Sequence, residues 1–291
     1  MENSIKNGAI LCSLNDITFP VEMVDNPRPT NPEYAKVVRG IVNGVEMDLN
    51  YCSNRYALIP NEDIFPQIEK VLKANNIQFS VTYWHINHVR FYASYTLNDN
   101  ELAYRMNGTN DIIFPRLFVQ HSYNGLTKYS ITFGYFRVIC SNGLTIPVEE
   151  MKKFNLNIVG KHTEQIQRSF AILNERLNFF VNNAKQVTSD IVNKYELLGG
   201  RVVENPQERI AEILKANNIN IVENQKFNTM NDIIGRLQVE VNNPNLGYNG
   251  KVNDWLIYNA INQYIYSPRT IAAPEFKMEK DIKVLEYILE H

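Results

Sequence analysis

The sequence predicts an α+β fold, in which an antiparallel sheet of long strands has helices packed on it and is followed by a mostly helical carboxyl-terminal region. Apolar and polar residues alternate with a period of two in residues 81–97 and 116–139, as in half-buried strands. From about Pro147 onward, apolar residues recur every three or four positions, as in amphipathic helices. With 291 residues, 44% of them hydrophobic, the chain is long enough to bury a core. We expect an amino-terminal arm with a hairpin at residues 1–54, an α+β core at 55–186 and a helical region at 187–291.

The first 54 residues carry loop and turn signals. Three prolines fall within six positions of the stretch VDNPRPTNPEYAK, which favours an extended arm. In RGIVNGVEMDLNY, Asn43-Gly44 lies between apolar runs and predicts a hairpin with a two-residue type I′ turn.

A short strand and a helix are predicted in residues 56–76. Asn61 is suited to cap the helix, and Asn75-Asn76 is suited to end it in the left-handed conformation. The apolar stripe of this helix consists of Ile64, Ile68, Val71 and Leu72.

The longest strands are predicted next. Val89, Phe91, Ala93, Tyr95 and Leu97 alternate with polar or smaller neighbours. A second strand pair is predicted around Asn124-Gly125, read as another two-residue turn. On its second strand Tyr129, Ile131, Phe133 and Tyr135 share one face, and Lys128, Ser130, Thr132 and Gly134 share the other. We therefore expect a sheet with one buried face and one solvent-exposed face.

The carboxyl-terminal half is predicted to be helical. A long amphipathic helix in residues 161–185 has the apolar positions Ile166, Phe170, Leu173, Leu177, Phe180 and Ala184. Shorter helices are predicted to open at Thr188, Asn205-Pro206, Thr229 and Asn253.

Composition excludes several classes of protein. Lys+Arg 29 against Asp+Glu 31 gives a net charge of −2, so any binding of nucleic acid has to come from a local basic patch. Cys12, Cys52 and Cys140 are far apart and odd in number, which argues against a disulfide framework or a zinc site and fits a reducing cytoplasm. We expect no exported and no membrane-spanning chain, because we find neither a signal-like amino terminus nor eighteen consecutive apolar residues.

No catalytic motif is present in the sequence. The patterns GxxxxGK[ST], GxGxxG and GxSxG are absent. Cys140 with His121 or His162 is a conceivable thiol pair, but a cysteine that ends an apolar strand is more often a small buried side chain. His85 and His88, three apart on a strand, are expected to point to opposite faces. We therefore predict no enzyme, no metal and no cofactor.

One stretch suggests a surface that binds polyanions. From Ile112 to Pro147 there is no Asp or Glu, and cations are interleaved with aromatic residues, the combination that holds single-stranded nucleic acid. The cations predicted to contact it, here and on neighbouring segments, are Arg90, Arg116, Lys128, Arg137, Lys152, Lys153, Lys161 and Arg168. The alternative is a buried sheet whose few cations lie at its edge. Arg137 in particular is either buried and paired or on the floor of a binding groove.

Short blocks of the sequence resemble a known family. The blocks are marked by Ser122, Gly125, Arg137, Cys140, Asn142, His162, Thr163, Trp255, Asn259 and Ala260. In order and approximate spacing they resemble the signatures of the phage/plasmid-like proteins that carry domain of unknown function 932, over roughly residues 55 to 290. The resemblance implies mobile elements and the cytoplasm of a bacterial host cell. The order of elements is also similar to that of the ring-forming single-strand annealing recombinases, whose groove between sheet and helices holds single-stranded DNA.

These observations lead to two alternative functions. The first is a non-enzymatic, phage-associated protein that binds or anneals single-stranded DNA in replication or recombination, and that we expect to form a homo-oligomer. The second is a virion component, or a protein that binds a host factor to block defence, with no role in nucleic-acid binding.

Overall fold

The computed structural model describes residues 9–98, 100, 102–127, 129–137, 143–145, 171, 175, 178, 192–221, 223–224, 227–267 and 274–291. Antiparallel strands make up the amino-terminal half of this part of the chain and helices the carboxyl-terminal half, which confirms the predicted α+β class. The chain divides into two compact units built from interleaved segments. The first unit comprises Met1–Asp99, Arg116–Phe133 and Glu150–Asn183, and the second comprises Asn100–Pro115, Gly134–Glu149 and Ala184–His291.

A three-stranded antiparallel sheet occupies the amino-terminal part of the first unit. Its strands are β2 (Val21–Asp25), β3 (Lys36–Val42) and β4 (Val45–Cys52), and β1 (Ala9–Cys12) precedes them. The hairpin predicted at Asn43-Gly44 joins β3 to β4 and is confirmed, because both residues have positive φ, 51° and 80°. The sequence did not predict β2, and the clustered prolines lie in the loop between β2 and β3.

Helix α1 (Asn61–Ala74) packs on the main sheet through its buried Ile64, Phe65, Ile68 and Leu72. It ends as predicted, with Asn76 in the left-handed region at φ 57°. The prediction that Asn61 caps the helix is wrong. Asn61 is the first helical residue, and its buried amide donates to the Ile17 carbonyl at 2.7 Å instead. This contact ties the helix to the segment that follows β1.

The main sheet of the first unit is antiparallel, with strand order β1, β5 (Phe79–Ile86), β6 (Arg90–Leu97), β8 (Ile112–Ser122), β9 (Ser130–Arg137). Strands β8 and β9 contribute residues to both units. The face that carries Tyr83, Phe91, Ala93, Tyr95 and Val119 is buried, and α1 lies against it. The rings of Phe65 and Tyr83 are 5.9 Å apart at 86°.

The connection between β8 and β9 is longer than predicted. Asn124-Gly125 is not a two-residue turn, because the strands are separated by residues 123–129. The Ser122 hydroxyl donates to the Thr127 carbonyl at 2.8 Å and accepts from the Thr127 amide at 3.0 Å, so a side chain closes the loop. Gly125 has φ 70°, a conformation that favours glycine. Ser122 and Gly125, two of the residues that mark the family resemblance, therefore both shape this loop.

In the second unit, β7 (Tyr104–Arg105) pairs with β8, and β10 (Gly143–Thr145) pairs with β9. Residues 192–200 are helical, and the short strands β11 (Glu223–Asn224) and β12 (Phe227–Asn228) pair with each other further along the chain. The remaining helices are α2 (Pro206–Ala216), α3 (Thr229–Val241), α4 (Asp254–Ile265) and α5 (Pro274–Glu290).

The helix starts of the second unit follow their local sequence. Pro206 occupies the first turn of α2, and the Asn253 side chain caps α4 by accepting from the Leu256 amide at 3.0 Å. Thr229 begins α3 as predicted, although the capping side chain is that of Asn228. Of the long helix predicted in residues 161–185, the structure describes Ala171, Glu175 and Asn178, which are helical, and the start predicted at Thr188 lies outside the described residues.

Candidate functional site

The structure describes some of the predicted site residues. Arg90, Arg116, Arg137, Ser122, Gly125, Trp255 and Asn259 are among them. Lys128, Cys140, Asn142, Lys152, Lys153, Lys161, His162, Thr163 and Arg168 lie outside the described residues. Of the seven described, Arg90 and Arg116 share one face of the main sheet, whereas Arg137 lies in a buried cluster of the second unit.

The second face of the main sheet, opposite α1, carries most of the polar side chains of its strands, and we call it the polar face. The strand registers place on it Leu11, Ser80, Thr82, Trp84, Ile86, Arg90, Tyr92, Ser94, Thr96, Arg116, Phe118, Gln120 and Ser122. These positions include two arginines and no Asp or Glu. The polar face on the described strands β1, β5, β6 and β8 therefore has a positive formal charge.

Three aromatic rings form the centre of the polar face. Trp84 stacks on Tyr92 at 5.7 Å and 14°, and Phe118 lies 5.8 Å from Trp84 and 6.1 Å from Tyr92. Tyr92 is completely buried, whereas Trp84 and Phe118 remain half-buried. Four further side chains of this face are at most 9% exposed, namely Ser94, Thr96, Gln120 and Ser122. The prediction of a solvent-exposed face is therefore wrong for most of β6 and β8. Exposure increases toward Thr82 and Leu11.

The two arginines of the polar face lie at opposite ends of it. Arg116 is paired in register with Thr96, and Arg90 with Ser122, six positions further along β8. Six residues of an extended strand span about 20 Å. Arg116 is half-buried and donates a hydrogen bond to the Ser94 hydroxyl. Arg90 is half-buried and has no carboxylate partner among the described residues.

Arg137 lies at the centre of a buried charge cluster formed with Asp111 and Glu240. Its guanidinium is 2.6 Å from Asp111 and 2.5 Å from Glu240, and its side chain has 0% exposed surface. It also lies over the Trp255 ring, 5.7 Å from the centroid. The structure corrects the prediction that Arg137 contacts nucleic acid, because a completely buried guanidinium between two carboxylates does not reach a phosphate. Of the two alternatives left open by the sequence, Arg137 is buried and paired.

Asp111 joins two parts of the family signature. It accepts hydrogen bonds from Arg137, from the Tyr248 hydroxyl at 2.8 Å and from the Trp255 indole at 2.9 Å. Arg137 and Trp255, which both mark the blocks of the family resemblance, are therefore members of one cluster. Sequence reasoning missed Asp111, although the acid-free stretch begins at the residue that follows it. Asn259, a further signature residue, is buried and donates to the Trp255 carbonyl at 2.7 Å.

Burial also affects the protonation of Glu240. Removal from water raises the pKa of Glu240, and the neighbouring Arg137 charge opposes that rise. Gln263 donates a further hydrogen bond to Glu240. The cluster is thus a buried, ion-paired polar core rather than an open reactive site.

Burial lowers the pKa of His85, His88 and His121, which favours their neutral forms. Burial lowers the pKa of His121 to about 3, and its ring nitrogen lies 3.0 Å from the Asn61 side-chain oxygen. Burial lowers the pKa of His85 to about 4. The prediction that His85 and His88 point apart is wrong: their rings stack 4.0 Å apart, because His88 lies in the β5–β6 turn with φ 55° and does not continue the strand.

Two further features bear on chemistry. Within the described ranges no group of three or more His, Cys, Asp or Glu side chains is arranged to hold a metal ion. Burial raises the pKa of the Cys12 thiol to about 12, so this thiol is protonated at neutral pH.

Among the helices of the described segments, none has the length and apolar character needed to cross a bilayer.

Comparison with known families assigns most of the chain. The family model described as Domain of unknown function (DUF932) matches residues 48–286. The chain belongs to this family. No curated protein and no solved structure matches it. The DUF932 match begins within β4, so it includes the polar face from β5 onward and the buried charge cluster, and it leaves out β2, β3 and the loop between them.

Proposed function

We propose that this DUF932 protein is a non-enzymatic, phage-associated protein that binds or anneals single-stranded DNA in replication or recombination, with the polar face as its DNA-binding surface. The observation that carries the proposal is the combination on one sheet face of two arginines and three aromatic rings without a carboxylate. Guanidinium groups bind phosphates, and aromatic rings stack on bases irrespective of their sequence.

The geometry of the polar face supports contacts along a strand rather than at one point. Arg90 and Arg116 are about 20 Å apart along β8, the length of several nucleotides of an extended strand. Trp84 and Phe118 lie between them and keep part of their ring surface accessible. A carboxylate at these positions would repel the phosphates. Because the polar face carries no carboxylate at these positions, bound phosphates meet no such repulsion there. We infer that DNA binding is completed by a second copy of the chain, as expected for a homo-oligomer.

The proposal is tested by fluorescence anisotropy with a labelled oligothymidylate at low and at high salt. Binding should weaken steeply as salt rises, because each neutralised phosphate releases counterions. Arg90→Glu should weaken binding by at least about tenfold, since loss of one charge-assisted contact costs about 1.5–3 kcal/mol. Arg55→Glu makes the same charge change at an exposed arginine outside the polar face and should change affinity little. Equal losses in both variants, or no binding at low salt, would refute the proposal.

A second candidate function is favoured by apolar side chains on the three-stranded sheet. Val45 is 62% exposed and Met47 is 39% exposed, and the two residues share one face of β4. Exposed apolar side chains in one region are typical of protein contacts, which fits a virion component or a protein that binds a host factor. Val45→Lys should then abolish co-purification with particles or with the host factor and leave oligothymidylate binding unchanged.

A further inference from the structure

A cleft of about 500 Å³ opens on the three-stranded sheet of the first unit. Val37, Arg39, Asp48 and Tyr51 of β3 and β4 line one side of it, and Arg28 and Tyr34 of the loop between β2 and β3 line the other. This volume is within the usual range for sites that bind small molecules. Most of the cleft lies before residue 48, where the DUF932 match begins.

One asparagine shapes the loop side of the cleft. The Asn26 side chain donates a hydrogen bond to the Tyr34 carbonyl at 2.7 Å and accepts one from the Arg28 backbone amide at 3.1 Å. The backbone amide of Asn26 donates to the Ala35 carbonyl at 2.9 Å. Asn26 therefore holds the start of the loop, at Arg28, to its end, at Tyr34 and Ala35. Arg28 and Tyr34 are presented by a loop that is closed by its own hydrogen bonds, rather than by an extended arm.

The two arginines of the cleft differ in their ion pairing. Arg39 lies 3.0 Å from Asp48 and 3.8 Å from Glu46. The contact with Arg39, followed by the Tyr51 hydroxyl, holds the pKa of Asp48 below its usual range. Asp48 is thus neutralised by Arg39. The Arg28 side chain has no carboxylate within ion-pair distance among the described residues. A ligand in the cleft meets an available guanidinium, which favours an anionic group.

Two exposed tyrosines complete the lining. Tyr34 is 43% exposed and Tyr51 is 49% exposed, and Tyr51 donates to Asp48 at 2.9 Å, which restrains its ring. Exposed aromatic rings beside an unpaired cation are the combination that recognises a planar ring joined to a phosphate.

We propose that this cleft binds a nucleotide, with its phosphate at Arg28 and its base against Tyr34 and Tyr51. The nucleotide is either a free mononucleotide or one unit of a single strand. The inference does not depend on the polar face, because every residue of the cleft lies outside it. If the strand supplies the nucleotide, the cleft is a second contact for the DNA of the proposed function.

The test uses the full chain with thymidine monophosphate and, separately, with an oligothymidylate, and measures affinity by calorimetry. Arg28→Glu and Tyr34→Ala should each weaken binding by at least about tenfold, the equivalent of about 1.4 kcal/mol. Both side chains are at the surface, and the Asn26 contacts of this loop use only backbone atoms of residues 28 and 34. Arg55→Glu is the matched charge control, and Arg90→Glu reports on the polar face.

Each arm of the experiment has a defined reading. Loss of monophosphate affinity in both cleft variants supports a free nucleotide, and loss of oligothymidylate affinity alone supports a unit of the strand. Unchanged affinity for both ligands in the cleft variants overturns the inference, as does tighter binding of a tyrosine-phosphorylated peptide than of either ligand. If Arg28→Glu weakens binding and Arg90→Glu does not, the proposal that the polar face binds DNA is contradicted and the nucleotide site in the cleft is supported. If Arg90→Glu weakens binding and Arg28→Glu does not, only the nucleotide site in the cleft is contradicted.

Discussion

Replacing Arg137 with methionine would leave two buried carboxylates facing each other without their cation. Arg137 lies 2.6 Å from Asp111 and 2.5 Å from Glu240, and all three side chains are almost completely buried. Removal of one partner from a buried ion pair costs about 3–5 kcal/mol, and here one change affects two pairs. We therefore expect the free energy of unfolding to fall by about 4–5 kcal/mol at pH 8, the upper part of that range.

The loss caused by Arg137→Met should depend on pH. The pKa of Glu240 is already raised by burial, and loss of the Arg137 charge would raise it further. A carboxyl whose pKa is higher in the folded than in the unfolded state favours folding below its unfolded pKa. That contribution is lost as the pH rises through the folded pKa. The penalty of Arg137→Met should accordingly be smaller at pH 5 than at pH 8.

Urea unfolding of the full chain, followed by circular dichroism at the two pH values, measures this penalty. Arg39→Met is the matched control, since Arg39 pairs with Asp48 at 3.0 Å but both side chains are about one-third exposed. An exposed pair contributes less than about 1 kcal/mol. If Arg137→Met costs no more than Arg39→Met, or costs more at pH 5 than at pH 8, the structural role assigned to Arg137 is wrong.

Two further predictions concern stability. The pKa of His121 is lowered from 6.5 to about 3. Its neutral form therefore stabilises the fold above pH 6.5, and about 2 kcal/mol of the free energy of unfolding should be lost between pH 7 and pH 5. His121→Gln should flatten that pH dependence in urea unfolding, and an unchanged slope would contradict it. Gly40→Ala places a methyl group 2.8 Å from both Leu49 and Phe19 and should lower the free energy of unfolding by about 1–3 kcal/mol. Gly235→Ala adds a methyl group in open space on α3 and should leave stability unchanged or raise it. Thermal unfolding compares the two variants. Equal melting temperatures for the two glycine variants would contradict the close packing at Gly40.

Local elements were predictable where neighbouring residues determine them. Asn43-Gly44 formed its turn and Asn76 ended α1, because each depends on the backbone conformations that Asn and Gly tolerate. Asn61 was misassigned for the converse reason. Its amide bonds to Ile17, which is distant in sequence, and a tertiary contact outweighed the local capping preference.

The candidate site was only partly predictable, because it depends on contacts between distant segments. The alternation in β6 predicted which side chains share a face, but not that the rings of Trp84 and Phe118 would contact the ring of Tyr92. Likewise, the acid-free stretch gave no indication that Arg137 would meet Asp111 and, 103 positions away, Glu240. A single sequence indicates which side chains of a strand share a face, but it does not indicate which distant residue pairs with a buried charge.

The central claim is that single-stranded DNA lies on the polar face, and photochemical cross-linking tests it most directly. An oligothymidylate carrying a photoreactive base would be bound to the full chain at low salt and irradiated, and the adducts would be mapped by mass spectrometry. The account predicts adducts on the peptides that contain Trp84 and Phe118, and fewer of them in Arg90→Glu than in Arg55→Glu. Adducts confined to peptides outside the polar face, or equal yields in the two variants, would contradict it.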